Sequence, residues 1–168
     1  MLHTRSTFSR SVKVSVGVSA LGRTEIHFIE PEVKTNAAYY RDCLLLEKLL
    51  PDIREYSDYY TSKQDGAPAH RARETVELQL TKETPDFIPP NLWPPNSPDL
   101  NPVDYKIWRL MQEKVYRIKI RDIEELRARI VNAWDEFDQL VIDAAIGQWR
   151  ARLEAFVEAE GGHFEHAL

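Results

Sequence analysis

Two aspartates lie in loops whose neighbouring residues suit a metal site. Asp65 is in residues 64–70, QDGAPAH, after a short run rich in Tyr and Thr and before a helical pattern. Asp104 is in residues 96–105, NSPDLNPVDY, and opens a second helical pattern directly after Pro-containing turns. Hard cations such as Mg²⁺ take oxygen ligands and usually need only one or two carboxylates besides a substrate phosphate. The two loops therefore predict a divalent-metal site where they converge.

The same residues also have an ordinary structural explanation. An Asp after a strand and an Asp at a helix start are common turn and capping residues, so spacing alone favours these roles over metal binding. Close to Asp65 the chain carries His70, Arg71 and Arg73. These side chains could hold DNA phosphates, and the alternative is a solvated basic face of a helix. The residues by themselves leave both interpretations open.

Two motifs resemble those of a known group of DNA-processing enzymes. Residues 64–70, QDGAPAH, and 93–108, WPPNSPDLNPVDYKIW, are similar to the two C-terminal catalytic motifs of mariner-type transposases. These are DDE/D enzymes with a ribonuclease-H-like core, and the resemblance runs from about Ser11 to the C-terminus. It implies that Asp65 is the second catalytic carboxylate and Asp104 the third. Residues 66 to 103, 38 positions, separate them, which is similar to the family's spacing.

The resemblance implies DNA cleavage and strand transfer with Mg²⁺ or Mn²⁺, in which two ions activate the attacking oxygen and stabilise the leaving one. In the family, the Asp that bridges both ions lies on the first strand of the sheet. Residues 1–24 contain no Asp or Glu. We therefore predict a fragment of a catalytic domain that is inactive alone and that holds at most one ion, between Asp65 and Asp104. The alternative is a non-catalytic, transposase-derived module that docks on DNA or dimerises.

Composition bounds these interpretations. A chain of 168 residues with 43% hydrophobic and 29% charged residues suits one globular domain. The net charge of −5 argues against a protein that coats nucleic acid all over, but it is compatible with a local basic groove. The single cysteine, Cys43, excludes an internal disulfide and a cysteine-based zinc site. No apolar run approaches 18 residues, so we expect no transmembrane helix.

The expected fold is α/β: a ribonuclease-H-like sheet, incomplete because its first strand is missing, with C-terminal helices. We divide the chain into an irregular segment, 1–10, and a partial DDE/D catalytic domain, 11–168. Strict alternation in 11–19 predicts a strand with Val12, Val14, Val16 and Val18 on one face. Strands at 25–30 and 59–64 are also expected, the first completing a hairpin and the second delivering Asp65. Helices are expected at 37–50, ended by Pro51, and at 70–80, 105–116, 123–137 and 139–158.

The predicted partner is DNA, with self-association as a second expectation because a missing strand exposes sheet edges. We expect no membrane association and no small-molecule substrate. A nuclear location follows from the resemblance only. A rival hypothesis concerns residues 89–98, which hold five prolines and predict a stiff, polyproline-like loop. Such a loop could instead be a proline-rich ligand for a partner domain, with Asp65 and Asp104 dispensable.

Overall fold

The structure is a computed structural model that describes residues 11–79, 86–94 and 97–160. The predicted irregular segment 1–10 lies outside these ranges, as does Asn96 of the Asp104 loop. Within them, the chain is α/β as predicted, with six short strands in three two-stranded sheets. The strands are β1 Lys13–Ser15, β2 Val18–Ser19, β3 Gly22–Arg23, β4 His27–Ile29, β5 Thr61–Lys63 and β6 Asp86–Ile88.

The predicted N-terminal hairpin forms, but as two short ladders. Strand β1 pairs antiparallel with β4, and β2 pairs antiparallel with β3. The single strand predicted at 11–19 is interrupted at Gly17, whose N–H donates to the Thr24 hydroxyl at 2.8 Å. The Thr24 N–H in turn donates to the Gly17 carbonyl at 3.0 Å. A Cβ on Gly17 would lie 3.1 Å from the Thr24 methyl group, so this close approach favours glycine.

Pro51 does not end the first helix, contrary to the prediction. Helix α1 (Ala37–Tyr39) continues through a π-helical stretch (Tyr40–Leu49) into α2 (Leu50–Tyr56). The Leu50 N–H donates to the Leu45 carbonyl, which is the longer i→i+5 pattern of a π-helix. Pro51 therefore lies inside one continuous helix, directly after the π-helical stretch, and its missing N–H leaves one bond of the helix unmade. The charged residues 52–56 are consequently helical as well.

The elements around the two aspartates are shorter than predicted. Strand β5 pairs parallel with β6 and ends two residues before Asp65. The following helix, α3 (Arg73–Leu78), begins three residues later than predicted, because residues 68–70 form a turn in which the His70 N–H donates to the Ala67 carbonyl at 2.9 Å. Residue 80, the predicted end of this helix, lies outside the described residues. The polyproline-like loop instead contains two turns of 3₁₀ helix, Pro90–Leu92 and Pro98–Leu100. A π-helical stretch, Val103–Ile107, then leads into α4, Trp108–Val115.

Three helices complete the described chain. Asp122 caps α5 (Ile123–Asp135), and its carboxylate accepts from the Glu125 N–H at 2.8 Å. The single helix predicted at 139–158 is two helices, α6 (Gln139–Gly147) and α7 (Trp149–Glu158). Gly147 ends α6, and a glycine in a helix interior costs about 1 kcal/mol relative to alanine. No helix among the described residues is long and apolar enough to cross a bilayer.

Two apolar clusters hold these elements together. We call the larger one the C-terminal core, and Val12, Val16 and Val18 of the hairpin pack against it, whereas Val14 does not. Its buried members are Ile107, Met111, Val115, Ile120, Leu126, Ala133, Trp134, Phe137, Ile142 and Ala145. The smaller cluster joins the hairpin to the first helix through Ile29, Tyr40, Leu44, Leu45, Leu49 and Leu50.

Candidate metal and DNA site

Asp65 is fixed immediately after strand β5 by two hydrogen bonds to one of its oxygens. The Asp65 Oδ1 atom accepts from the Ala67 N–H at 3.0 Å and from His70 Nδ1 at 2.6 Å. The bond from His70, followed by that from Ala67, holds the pKa of the Asp65 carboxyl below its usual range despite partial burial. Asp65 is therefore an ionised carboxylate of defined orientation at neutral pH.

The buried side chain of Tyr40 packs against the His70 ring. The Tyr40 ring lies 4.4 Å from the His70 ring, centroid to centroid, and its hydroxyl is hydrogen-bonded to the Gln64 side chain. Burial and the nearby Asp65 charge raise the pKa of the Tyr40 hydroxyl, so it stays neutral. His70 is thus held between an aromatic ring and a carboxylate.

Asp104 lies in the first turn of the helix that follows the Pro-rich loop. Its N–H donates to the Asn101 carbonyl at 2.9 Å, and Asn101 Oδ1 accepts from the Val103 N–H at 3.1 Å. Burial, followed by the charge of Asp65, raises the pKa of the Asp104 carboxyl. The two carboxylates, far apart in sequence, are therefore close enough in the fold to repel each other.

Both aspartates line one cavity of about 1220 Å³, which we call the acid cavity. Arg71 and Arg73 line it as well, and both are exposed to solvent. Neither arginine forms an ion pair with an acid within the described parts of the chain. The rest of the lining comes mainly from the turn after Asp65 and from the Pro-rich loop: Gly66, Ala67, Pro68, Val76, Glu77, Pro89, Pro90, Asn91, Trp93, Pro94, Ser97 and Pro98.

The structure brings four of the five predicted site residues to this cavity. His70 is the exception, because its ring turns away to contact Asp65 and Tyr40 and does not line the acid cavity. It is thus placed to orient a carboxylate, whereas the sequence suggested a phosphate contact. Among the described residues, no group of three or more His, Cys, Asp or Glu side chains is placed to hold a metal ion.

Sequence reasoning missed a stack of side chains beside the two acids. Lys63 Nζ lies 4.6 Å from the ring centroid of Trp93 and 4.1 Å from that of Trp149. Burial lowers the pKa of the Lys63 amine to about 8. The only signal in the sequence is alternation along β5, which puts Lys63 on the same face as Asp65. The stack ties the strand to the Pro-rich loop and to α7.

The sequence comparisons connect the chain to transposases. No family model matches it. It is 27% identical over 144 residues to the Tc3 transposase of Caenorhabditis elegans, a match that covers 83% of this chain and 41% of Tc3. The chain therefore spans less than half the length of that relative.

The structure comparisons define the class of fold. The catalytic domain of Mos1 mariner transposase superposes with a TM-score of 0.75 at 23% identity, over 92% of this chain and 76% of that domain. The Mos1 chain of a strand transfer complex superposes with a TM-score of 0.79 at 22% identity, over 96% of this chain and 46% of the Mos1 chain. The fold is that of the Mos1 catalytic domain, ribonuclease-H-like, as predicted. Sequence and fold together confirm the resemblance of this chain to mariner-type transposases.

Proposed function

We propose that this chain contributes the second and third acids of a DDE/D metal site and takes part in the DNA chemistry of transposition. One observation carries the proposal. Asp65 and Asp104, separated by 38 residues, line a single cavity, and the charge of one raises the pKa of the other. A cation bound between two carboxylates cancels their repulsion and favours the charged form of both.

The donor set fits a hard divalent cation such as Mg²⁺ or Mn²⁺. Asp65 Oδ1 is used by Ala67 and His70, whereas the described residues give Oδ2 no hydrogen-bond partner. Asp65 and Asp104 would each offer carboxylate oxygen, the ligand type that Mg²⁺ prefers. A bound ion would supply positive charge at a phosphate oxygen. Structures of the Mos1 catalytic domain with Mn and with Mg support this assignment.

DNA is the proposed partner, and the acid cavity is the proposed contact surface. Arg71 and Arg73 would bind backbone phosphates, which Arg recognises with paired hydrogen bonds. The similarity to Mos1 chains in a strand transfer complex and in a paired-end complex with a transposon end supports this proposal. We also propose that the chain self-associates on DNA. We further propose that it acts in the nucleus, and imaging of the tagged chain would test this location.

Calorimetric titration of the full chain with MnCl₂ tests the metal site. We expect one binding event in the wild type and loss of most of the heat in Asp65→Asn and in Asp104→Asn. Asp99→Asn is the matched control, because Asp99 lies in the 3₁₀ turn Pro98–Leu100, close to Asp104 in sequence, but does not line the acid cavity. If the two site variants bind Mn²⁺ as the wild type does, the two loops do not form a metal site.

A second candidate function is a non-catalytic module that docks on DNA. It is favoured by the absence, among the described residues, of any group of three metal-ligating side chains. We also keep the proposal that this chain alone does not cleave DNA, because a two-metal site needs a further carboxylate to fix both ions. DNA binding that is equal in EDTA and in MnCl₂, and unchanged in Asp65→Asn, would favour the docking module over the metal site.

A further inference from the structure

Trp93 and Asp65 line both the acid cavity and a second cavity. The second cavity, of about 500 Å³, lies between the hairpin, strand β5 and helix α7, and Trp93 lines both cavities. Lys63 lines only the second cavity and places its ammonium group over the Trp93 ring, 4.6 Å from the centroid. One face of the indole is therefore in contact with a cation, and the same residue contributes to the wall of the acid cavity.

The acid cavity has an apolar lining as well as charged groups. Pro89, Pro90, Pro94 and Val76 line it together with Trp93. The charged groups in the same lining are the two exposed arginines, the two aspartates and Glu77. A flat apolar surface next to cationic groups is the combination that single-stranded nucleic acid uses, since bases stack on aromatic rings while phosphates bind basic side chains. A duplex cannot use such a surface in the same way, because each base is already stacked and paired.

We propose that Trp93 is a stacking platform for an unpaired DNA base whose phosphates lie on Arg71 and Arg73. The inference rests on the proposed function and adds to it that the bound DNA is single-stranded next to the acids. Lys63 acts as a positioning residue, because its cation–π contact fixes the indole before DNA arrives. The acid cavity, at about 1220 Å³, exceeds the volume of typical small-ligand sites, so it has room for more than one nucleotide.

Fluorescence anisotropy with two labelled DNA probes tests this platform. One probe is a blunt duplex, and the other is the same duplex with a short single-stranded extension. Binding is measured in EDTA, so that no metal-dependent reaction occurs. Stacking of one base corresponds to an affinity gain of about fivefold to 150-fold. We expect the wild type to bind the extended probe at least about fivefold more tightly than the blunt probe.

The variants separate stacking from folding and from phosphate binding. Trp93→Leu should lose the preference for the extended probe and keep its affinity for the blunt probe, whereas Trp93→Phe should keep part of the preference. Tyr116→Leu is the matched control, because Tyr116 is an exposed aromatic residue that lines neither cavity. The double variant Arg71→Ala, Arg73→Ala should weaken binding of both probes.

Each remaining outcome decides against one of the two proposals or both. Equal binding of the two probes by the wild type would overturn the platform while leaving DNA binding intact. A Trp93→Leu variant that still prefers the extended probe, or whose binding of both probes is weakened equally, would overturn the platform as well. If neither probe binds the wild type, the proposed DNA function fails and the platform fails with it.

Discussion

The C-terminal core and the acid cavity are built from different kinds of buried group. All ten buried members of the core are apolar or aromatic, and its one buried side-chain donor, Trp134 Nε1, donates to the Thr24 carbonyl at 2.9 Å. The acid cavity, by contrast, is lined by the buried polar residue Ser97 and by two carboxylates. The core is thus stabilised by apolar burial, whereas the acid cavity holds two carboxylates whose mutual repulsion costs stability when both are charged.

The largest expected effect is in the core. Trp134→Ala removes a side chain that is 3% exposed, together with its hydrogen bond to the hairpin. We expect it to lower the free energy of unfolding by about 3–5 kcal/mol, the usual cost of truncating a buried Trp. Urea unfolding followed by circular dichroism measures this change.

An exposed apolar residue of the adjoining helix provides the control for that experiment. Leu140 is 71% exposed, so Leu140→Ala should change the free energy of unfolding by no more than about 0.5 kcal/mol. Equal losses in the Trp134 and Leu140 variants would contradict the assignment of Trp134 to the core. They would also remove the contrast between core and cavity.

A smaller effect is expected at the start of α5, which carries three core residues. Asp122→Ala deletes the carboxylate that accepts from the Glu125 N–H. The loss should be about 1 kcal/mol, as for other helix caps. Thermal unfolding checks this value, with Glu124→Ala as the control, because Glu124 is an exposed acid in the same turn without the capping role. A larger loss in the control than in Asp122→Ala would show that charge, and not capping, stabilises this helix end.

Part of the fold could be predicted from the sequence because the signals are local. Alternating valines predict the hairpin, and the position of Asp122 before an amphipathic run predicts a capped helix. The π-helical stretch before Pro51 was not predicted, because periodicity does not distinguish it from an α-helix of the same residues. The division at Gly147 was also not predicted, although a glycine in a helix interior costs about 1 kcal/mol relative to alanine and is a sequence signal for a break.

The site was predictable to the extent that motifs mark it. The two motifs led to Asp65 and Asp104, and the structure places both on one cavity. The contact of Lys63 with two tryptophans was not predictable, because Trp149 comes from the last described helix and no local pattern connects it to β5. The orientation of His70 was missed for a similar reason, since the buried ring that supports it, Tyr40, lies 30 positions earlier.

The smallest expected change in the free energy of unfolding is that of Asp104→Asn in the acid cavity, and this substitution is expected to stabilise the fold. Because burial and Asp65 raise the pKa of the Asp104 carboxyl, the folded state binds a proton there more readily than the unfolded state. Asp104 therefore contributes stability below its unfolded pKa, near 3.9, and loses that contribution as the pH rises through its folded pKa. In EDTA at pH 7, Asp104→Asn should be as stable as the wild type or more stable by up to about 1 kcal/mol.

Urea unfolding of the Asp104→Asn variant from pH 4 to pH 7 measures this difference, which should grow with pH and then level off above the folded pKa. Asp99→Asn, with its side chain outside the acid cavity, should show no such trend. With added MnCl₂ the wild type should become more stable than Asp104→Asn, since an ion that binds only the folded wild type stabilises it by mass action. A variant less stable than the wild type at pH 7 in EDTA would mean that Asp104 stabilises the fold as the core residues do. The cavity would then be structural, and its two carboxylates would not be held close together for a ligand.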